Sequence, residues 1–139
     1  MRHLGIDYGS KRVGLAISDE GGNLAFPYSI LANDPQLLED ILNICEKENV
    51  SEIIIGESHD LSGKANKIMG SIEMFKRNLE SETDIPVAFQ KEFMTTMEAR
   101  GREGKEKNND RKVAKQKAAA ADAAAAALIL QRYLDKKNK

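Results

Sequence analysis

The residue pattern predicts an α/β fold built on a mixed five-stranded sheet, an antiparallel three-stranded meander continued by two parallel strands. Three observations predict it. Segments with a two-residue apolar period open the chain, joined by turns short enough for hairpins. An uninterrupted Ile53-Ile54-Ile55 follows, typical of a strand buried on both faces. Apolar stripes of helical period lie between and after the later strands, so those strands are reached through crossovers.

Leu4 and Ile6 share one face of the first strand, with His3, Gly5 and Asp7 on the other. Val13, Leu15 and Ile17 share a face of the second, opposed by Gly14, Ala16 and Ser18. Leu24, Phe26, Tyr28 and Ile30 alternate in a third, where Pro27 suggests a sheet edge. The connections, Tyr8 to Arg12 and Asp19-Glu20-Gly21-Gly22-Asn23, are of hairpin length. Asp34 suits a helix N-cap and Pro35 the first helical position, with Leu38, Ile41, Leu42 and Cys45 following at helical spacing. The isoleucine run gives a fourth strand over 51–56. Ile68, Ile72, Phe75 and Leu79 form a second helical stripe, and Pro86-Val87-Ala88-Phe89 a fifth strand. A helix start is expected at Met97, after Thr95 and Thr96, and a final helix from about Lys115 to Leu134. Met69, Met74, Met94 and Met97 read as core, and the Tyr8 ring as packing beside the first turn.

The 139 residues suit a single domain, 1–139, with one core. The net charge of −1 gives no global field towards nucleic acid, so any such attraction needs a local patch. Cys45 is the one cysteine and cannot form an intrachain disulfide, which fits a reduced, intracellular protein with a buried thiol. Met1-Arg2-His3 leads into a strand rather than an apolar leader, and the longest apolar stretch is interrupted by Asp122. A cytoplasmic location without a membrane partner is expected.

The first two strands carry a bulky face and a small one. Gly5, Gly14 and Ala16 form the small face, which something must approach closely. The final helix has alanine at nearly every position from Ala118 to Ala127 and can dock unusually near a sheet. Leu128, Ile129, Leu130, Tyr133 and Leu134 need burial, which favours docking over an exposed alanine tail. Asp7 shares the small face and Asp122 interrupts the alanines, so docking is expected to bring the two together.

Asp7 ends the first strand, followed by a Gly-bearing turn and the basic pair Lys11-Arg12. Glu92 follows the fifth strand, where parallel neighbours present their carboxyl ends, the usual ligand end of an open α/β sheet. Asp7, Glu92 and Asp122 are therefore the candidate catalytic and metal-holding set. Converging carboxylates repel one another unless a cation neutralises them. Mg²⁺, or Mn²⁺, takes such oxygen ligands together with substrate phosphate. Glu57 ends the isoleucine strand, which topology sets beside the first, so it could replace or supplement Glu92. His3 and His59 are too widely spaced to read as a metal pair, although His59, in an expected loop after Glu57, could assist proton transfer.

The opening Gly5-Ile6-Asp7-Tyr8-Gly9-Ser10-Lys11-Arg12-Val13-Gly14-Leu15-Ala16-Ile17-Ser18-Asp19 resembles the first hairpin of the YqgF/RuvX family. Ile53-Ile54-Ile55-Gly56 with Ser62-Gly63, Glu92 to Ala99, and Asp122 to Leu134 match it in order. The resemblance implies an RNase H-like fold with helices on both faces of the sheet. It implies a metal-dependent endonuclease acting on Holliday junctions or on the 5′ end of precursor 16S ribosomal RNA, and Asp7, Glu92 and Asp122 as its catalytic residues. Two motifs depart from the family. Glu57-Ser58 stands where Leu-Pro is usual, and Lys91-Glu92-Phe93 where Asp-Glu-Arg is usual. Glu57 also falls where the related RuvC-type resolvases carry a fourth-strand glutamate.

Between Arg100 and Lys117, eight Lys or Arg face three acids, a net +5. Such a patch beside a metal site can track a nucleic-acid backbone, and charge runs are also commonly solvated loops. Lys11, Arg12, Arg100, Arg102 and Lys112 are the candidate nucleic-acid contacts. No aromatics interleave with the patch, so recognition by shape and backbone is expected rather than base stacking. The alternative is a catalytically weak or inactive module of the same fold that binds nucleic acid or a protein partner. An actin-like phosphotransferase would need a second lobe that 139 residues do not supply. A symmetric junction would suit a homodimer, and the sequence is equally compatible with a monomer.

Overall fold

The computed structural model of the chain describes residues 1–59, 67–93 and 111–138, with His59, Glu92, Phe93 and residues 111–120 given by backbone alone. The elements are β1 (Arg2–Tyr8), β2 (Arg12–Ser18), β3 (Ala25–Ala32), α1 (Leu37–Lys47), β4 (Val50–His59), α2 (Met69–Glu82), β5 (Val87–Phe93) and α3 (Arg111–Lys137). The sheet order is β3-β2-β1-β4-β5. β1 and β3 pair antiparallel with β2, while β1, β4 and β5 run parallel. This is the expected mixed sheet. The expected helix start at Met97 lies outside the described residues.

Helices cover both faces, as expected. On one, Leu37, Ile41 and Cys45 of α1 and Met69, Ile72, Phe75 and Leu79 of α2 pack on Leu4, Ile6, Val13, Leu15, Ile53 and Ile55. On the other, Ala126, Ile129, Leu130 and Leu134 of α3 pack on Ala16 and Ile54. Ile53, Ile54 and Ile55 are wholly buried because β4 is covered on both sides. Each such side chain stabilises the fold by roughly 1.5–3 kcal/mol.

α3 lies chiefly over β1, β2 and β3. At Gly5 an added Cβ would come within 2.7 Å of Leu130 Cβ, and at Gly14 it would overlap the Asp122 carbonyl oxygen. At Gly56 it would meet Ile129 Cδ1 at 2.6 Å. The small face therefore exists to let this helix approach.

Several expectations need correction. α1 begins at Leu37, not at Pro35. Asp34 instead closes a turn, its Oδ1 accepting from the Gln36 N–H at 2.9 Å and its carbonyl from the Leu37 N–H at 3.0 Å. Asn49 takes a left-handed φ of 54° just past the helix, a conformation that asparagine tolerates. β3 is an edge strand, but a register shift between Leu15 and Ala16 breaks its simple alternation, and Phe26 is exposed. β4 and β5 run further than expected, so His59 ends β4 and Glu92 lies within β5. Met74 and Leu128 are exposed, and the Tyr8 ring packs against Phe75 with centroids 4.9 Å apart. Met94 and Met97 lie outside the described residues. Among the described residues, no helix is long and apolar enough to cross a membrane.

Candidate metal and nucleic-acid site

Asp7 and Asp122 are each placed against the same glycine, Gly14. In the β1–β2 ladder Asp7 stands directly opposite Gly14, so its side chain shares the α3 face of the sheet. Gly14 in turn lies against the Asp122 backbone. Asp7 is half-buried and Asp122 buried. The final helix thus docks on the small face as expected, with the Asp122 backbone against the strand partner of Asp7.

Arg12 completes this end of the sheet. Two residues before Gly14, it falls on the same face, and its Nε–H donates to Asp122 Oδ2 at 2.8 Å. The Asp122 side chain is 9% exposed and that of Arg12 45%. Of the expected nucleic-acid contacts, Arg12 is thus also bound within the protein, and Lys11 is exposed beside it. Lys112 lies in the first turn of α3, described by backbone alone. Arg100 and Arg102 fall outside the described residues.

The two remaining acids occupy opposite faces. In the β4–β5 ladder Glu57 pairs with Lys91 and Ser58 with Glu92. Ile53 and Ile55, which share a face with Glu57, pack on the α1–α2 side. Ile54 and Ala88, which share a face with Ser58 and Glu92 respectively, belong to the α3 side. By register, Glu92 is on the face of Asp7 and Asp122, and Glu57 is not.

The donor set fits a hard divalent cation. Asp7 and Asp122 offer carboxylate oxygens, and the Arg12 guanidinium against the more buried one marks a place where positive charge is needed. No cluster of three His, Cys, Asp or Glu capable of holding a metal occurs among the described residues. Glu92, the third candidate, contributes only its register position to that description.

At the far end of the sheet, α3 is clamped by a cluster that sequence reasoning missed. Glu52 accepts from the Tyr133 hydroxyl at 2.9 Å and from Lys137 Nζ at 3.2 Å. His3 Nε2 lies 3.1 Å from the same carboxylate. Gln131 accepts from the Ala25 N–H at 2.9 Å and donates to the Asn23 carbonyl at 2.9 Å. Burial, and then the Glu52 hydrogen bond, push the Tyr133 hydroxyl up to about 12. His3 Nδ1 is buried without a partner, which fits a neutral ring carrying its proton on Nε2 and donating to Glu52. These bonds fix the register of α3, and through some 16 Å of helix they fix where Asp122 stands. The signal available in the sequence was the one-face alignment of His3 with Gly5 and Asp7.

Known proteins resemble the chain along nearly its whole length. A relative from Dictyoglomus turgidum is 35% identical over 139 residues, covering 97% of this chain and 94% of its own. One from Protochlamydia amoebophila is 33% identical over 143 residues, covering 96% and 93%. Both carry the name "Putative pre-16S rRNA nuclease". A fowlpox virus resolvase, solved with substrate Holliday junction DNA, matches across the whole of both chains with a TM-score of 0.52 at 13% identity, a likeness of fold. The family described as RuvX, Holliday junction resolvase, matches residues 1–136, and this chain belongs to it.

Proposed function

We propose that this protein is a divalent-metal-dependent endonuclease of one RNase H-like domain that hydrolyses phosphodiester bonds in structured nucleic acid. Membership of a resolvase family, with relatives named as nucleases, supports the reaction class. The observation that supports the mechanism is the docking of α3, with its buried Asp122, against Gly14, the cross-strand partner of Asp7. Asp7, Asp122 and Glu92 would hold the cation, Mg²⁺ or Mn²⁺. When bound, it would activate water and steady the leaving oxygen of an in-line displacement.

The chain's own residues do the positioning. Asp7 rests on a paired strand and Asp122 on a clamped helix, so neither has to reorganise when substrate arrives. Register supports Glu92 rather than Glu57 as the third oxygen donor. Lys11 and Arg12 stand beside the carboxylates and supply positive charge for a scissile phosphate. The basic run from Arg100 to Lys117, Arg100, Arg102 and Lys112 included, supplies charge for the flanking backbone.

Branched DNA and precursor 16S ribosomal RNA are the two substrate classes that the family description and the relatives' names support, and within the latter the 5′ end is our expected target. Either would be met in the cytoplasm, and a two-fold symmetric junction would favour a homodimer over a monomer. Cleavage of a synthetic four-way junction and of precursor ribosomal RNA, each with Mg²⁺ and with chelator, tests the reading. Asp7→Asn should abolish cutting and leave binding intact, because it removes one oxygen donor and little volume. Mutant activity equal to wild type would refute the site. Binding of either substrate by wild type without Mg²⁺-dependent cutting would establish the non-cleaving alternative.

A further inference from the structure

Arg12 makes a contact that phosphate binding alone does not explain. Its guanidinium reaches 110 positions along the chain to Asp122, an ion pair whose two ends differ sharply in exposure. The carboxylate is almost wholly enclosed, and a buried charge without a partner is strongly unfavourable. Asp7, across Gly14, adds a second negative group on the same face. The site therefore needs a positive charge whether or not a metal is present. Nearly half of the Arg12 side chain faces solvent, which leaves it room to move away.

Resting on the metal-site reading above, we propose that Arg12 is the resident counter-ion of Asp122 and changes places with the incoming divalent cation. The guanidinium is thereby freed for the substrate phosphate only once the site is loaded. In the unloaded protein Arg12 is a positioning residue: it holds the enclosed Asp122 carboxylate in its orientation through the 2.8 Å contact. In the loaded protein the same group becomes available as a bidentate phosphate donor.

This exchange makes two effects run in opposite directions. Neutralising Arg12 removes a competitor for the Asp122 oxygens and tightens metal binding, while cleavage falls because a phosphate donor is lost. A purely structural Arg12 would weaken both. A simple phosphate contact, never engaged with the metal site, would leave metal affinity unchanged.

Magnetic resonance of isotopically labelled wild-type protein tests the exchange directly. During a Mg²⁺ titration the Arg12 Nε–H signal and the Asp7 backbone amide are followed together. Both should move along one binding curve, with Arg12 Nε–H losing its protection from solvent exchange. Calorimetry with Mn²⁺ adds a second readout. Arg12→Gln should bind about fivefold tighter, the equivalent of a partly exposed ion pair removed, and Arg12→Lys should bind close to wild type. An Arg12 signal that stays still while Asp7 shifts, or an Arg12→Gln affinity equal to or weaker than wild type, overturns the exchange and leaves the metal site standing. If neither signal moves and no variant gives heat, the site holds no cation, and the nuclease mechanism falls with the exchange.

Discussion

Gly14 is the residue on which the site's geometry turns. Any side chain there would strike the Asp122 carbonyl oxygen, which belongs to helix backbone and cannot swing aside. Gly14→Ala should therefore push α3 off the sheet and cost about 1–3 kcal/mol, as overpacking commonly does. Urea unfolding would read the loss, and a stability equal to wild type would show that the helix sits further away. His3 gives a second prediction. Burial first, and then the nearby Lys137 charge, hold its imidazole below the ordinary value of 6.5, against the opposing pull of Glu52. The unfolded chain consequently takes up a proton that the folded chain resists, so stability rises with pH through this range. The contribution is fully present above pH 6.5 and is lost progressively as the pH falls below it. Thermal melts of wild type and His3→Gln on mild acidification should show the wild type falling more steeply. A wild type no more sensitive to acid than the variant would contradict the neutral buried ring. Neither His3–Glu52 nor Arg12–Asp122 was legible in the sequence, because a side-chain contact between distant elements leaves no local pattern. Asp7 and Asp122 were legible, since a carboxylate among small residues has nothing nearby to cover it.

The elements show which physical signals survive in a sequence. The first two alternating strands, the isoleucine run and the alanine helix appear where their periods put them, because burial on one face or two dictates the residue types. What failed depended on tertiary detail. The extra residue in β3 displaces an alternation that the sequence alone presents as regular. β5 continues past Phe89 through Gln90, Lys91 and Glu92 because β4 extends beside it, a pairing that polar residues do not announce. That extension bears on the chemistry, since alternation along a paired strand decides which side of the sheet each acid serves. Glu92→Gln should reduce cleavage sharply, while Glu57→Gln, on the opposite face, should leave it near wild type. A single-turnover assay of both variants would decide it, and the reverse order would mean that β4 supplies the third donor.

The whole molecule divides its labour between the two sides of one sheet. The α1–α2 side carries the larger apolar cluster, including Cys45, whose thiol burial pushes up to about 11 and so keeps unreactive. The α3 side is lined by small residues, is clamped at one end by Glu52, Tyr133 and Lys137, and presents carboxylates at the other. A chain with a net charge of −1 offers no global field to a polyanion, so the proposed substrate would have to be met through a confined basic region. The central claim is that α3 delivers Asp122 to Asp7 to form a cation site. Paramagnetic broadening by substoichiometric Mn²⁺ tests it most directly, because the effect falls steeply with distance from the ion. The amide signals of Asp7, Gly14 and Asp122 should broaden first and together, with those of His3 and Tyr133 broadening only at higher Mn²⁺. Broadening centred elsewhere, or reaching Asp7 but not Asp122, would contradict it.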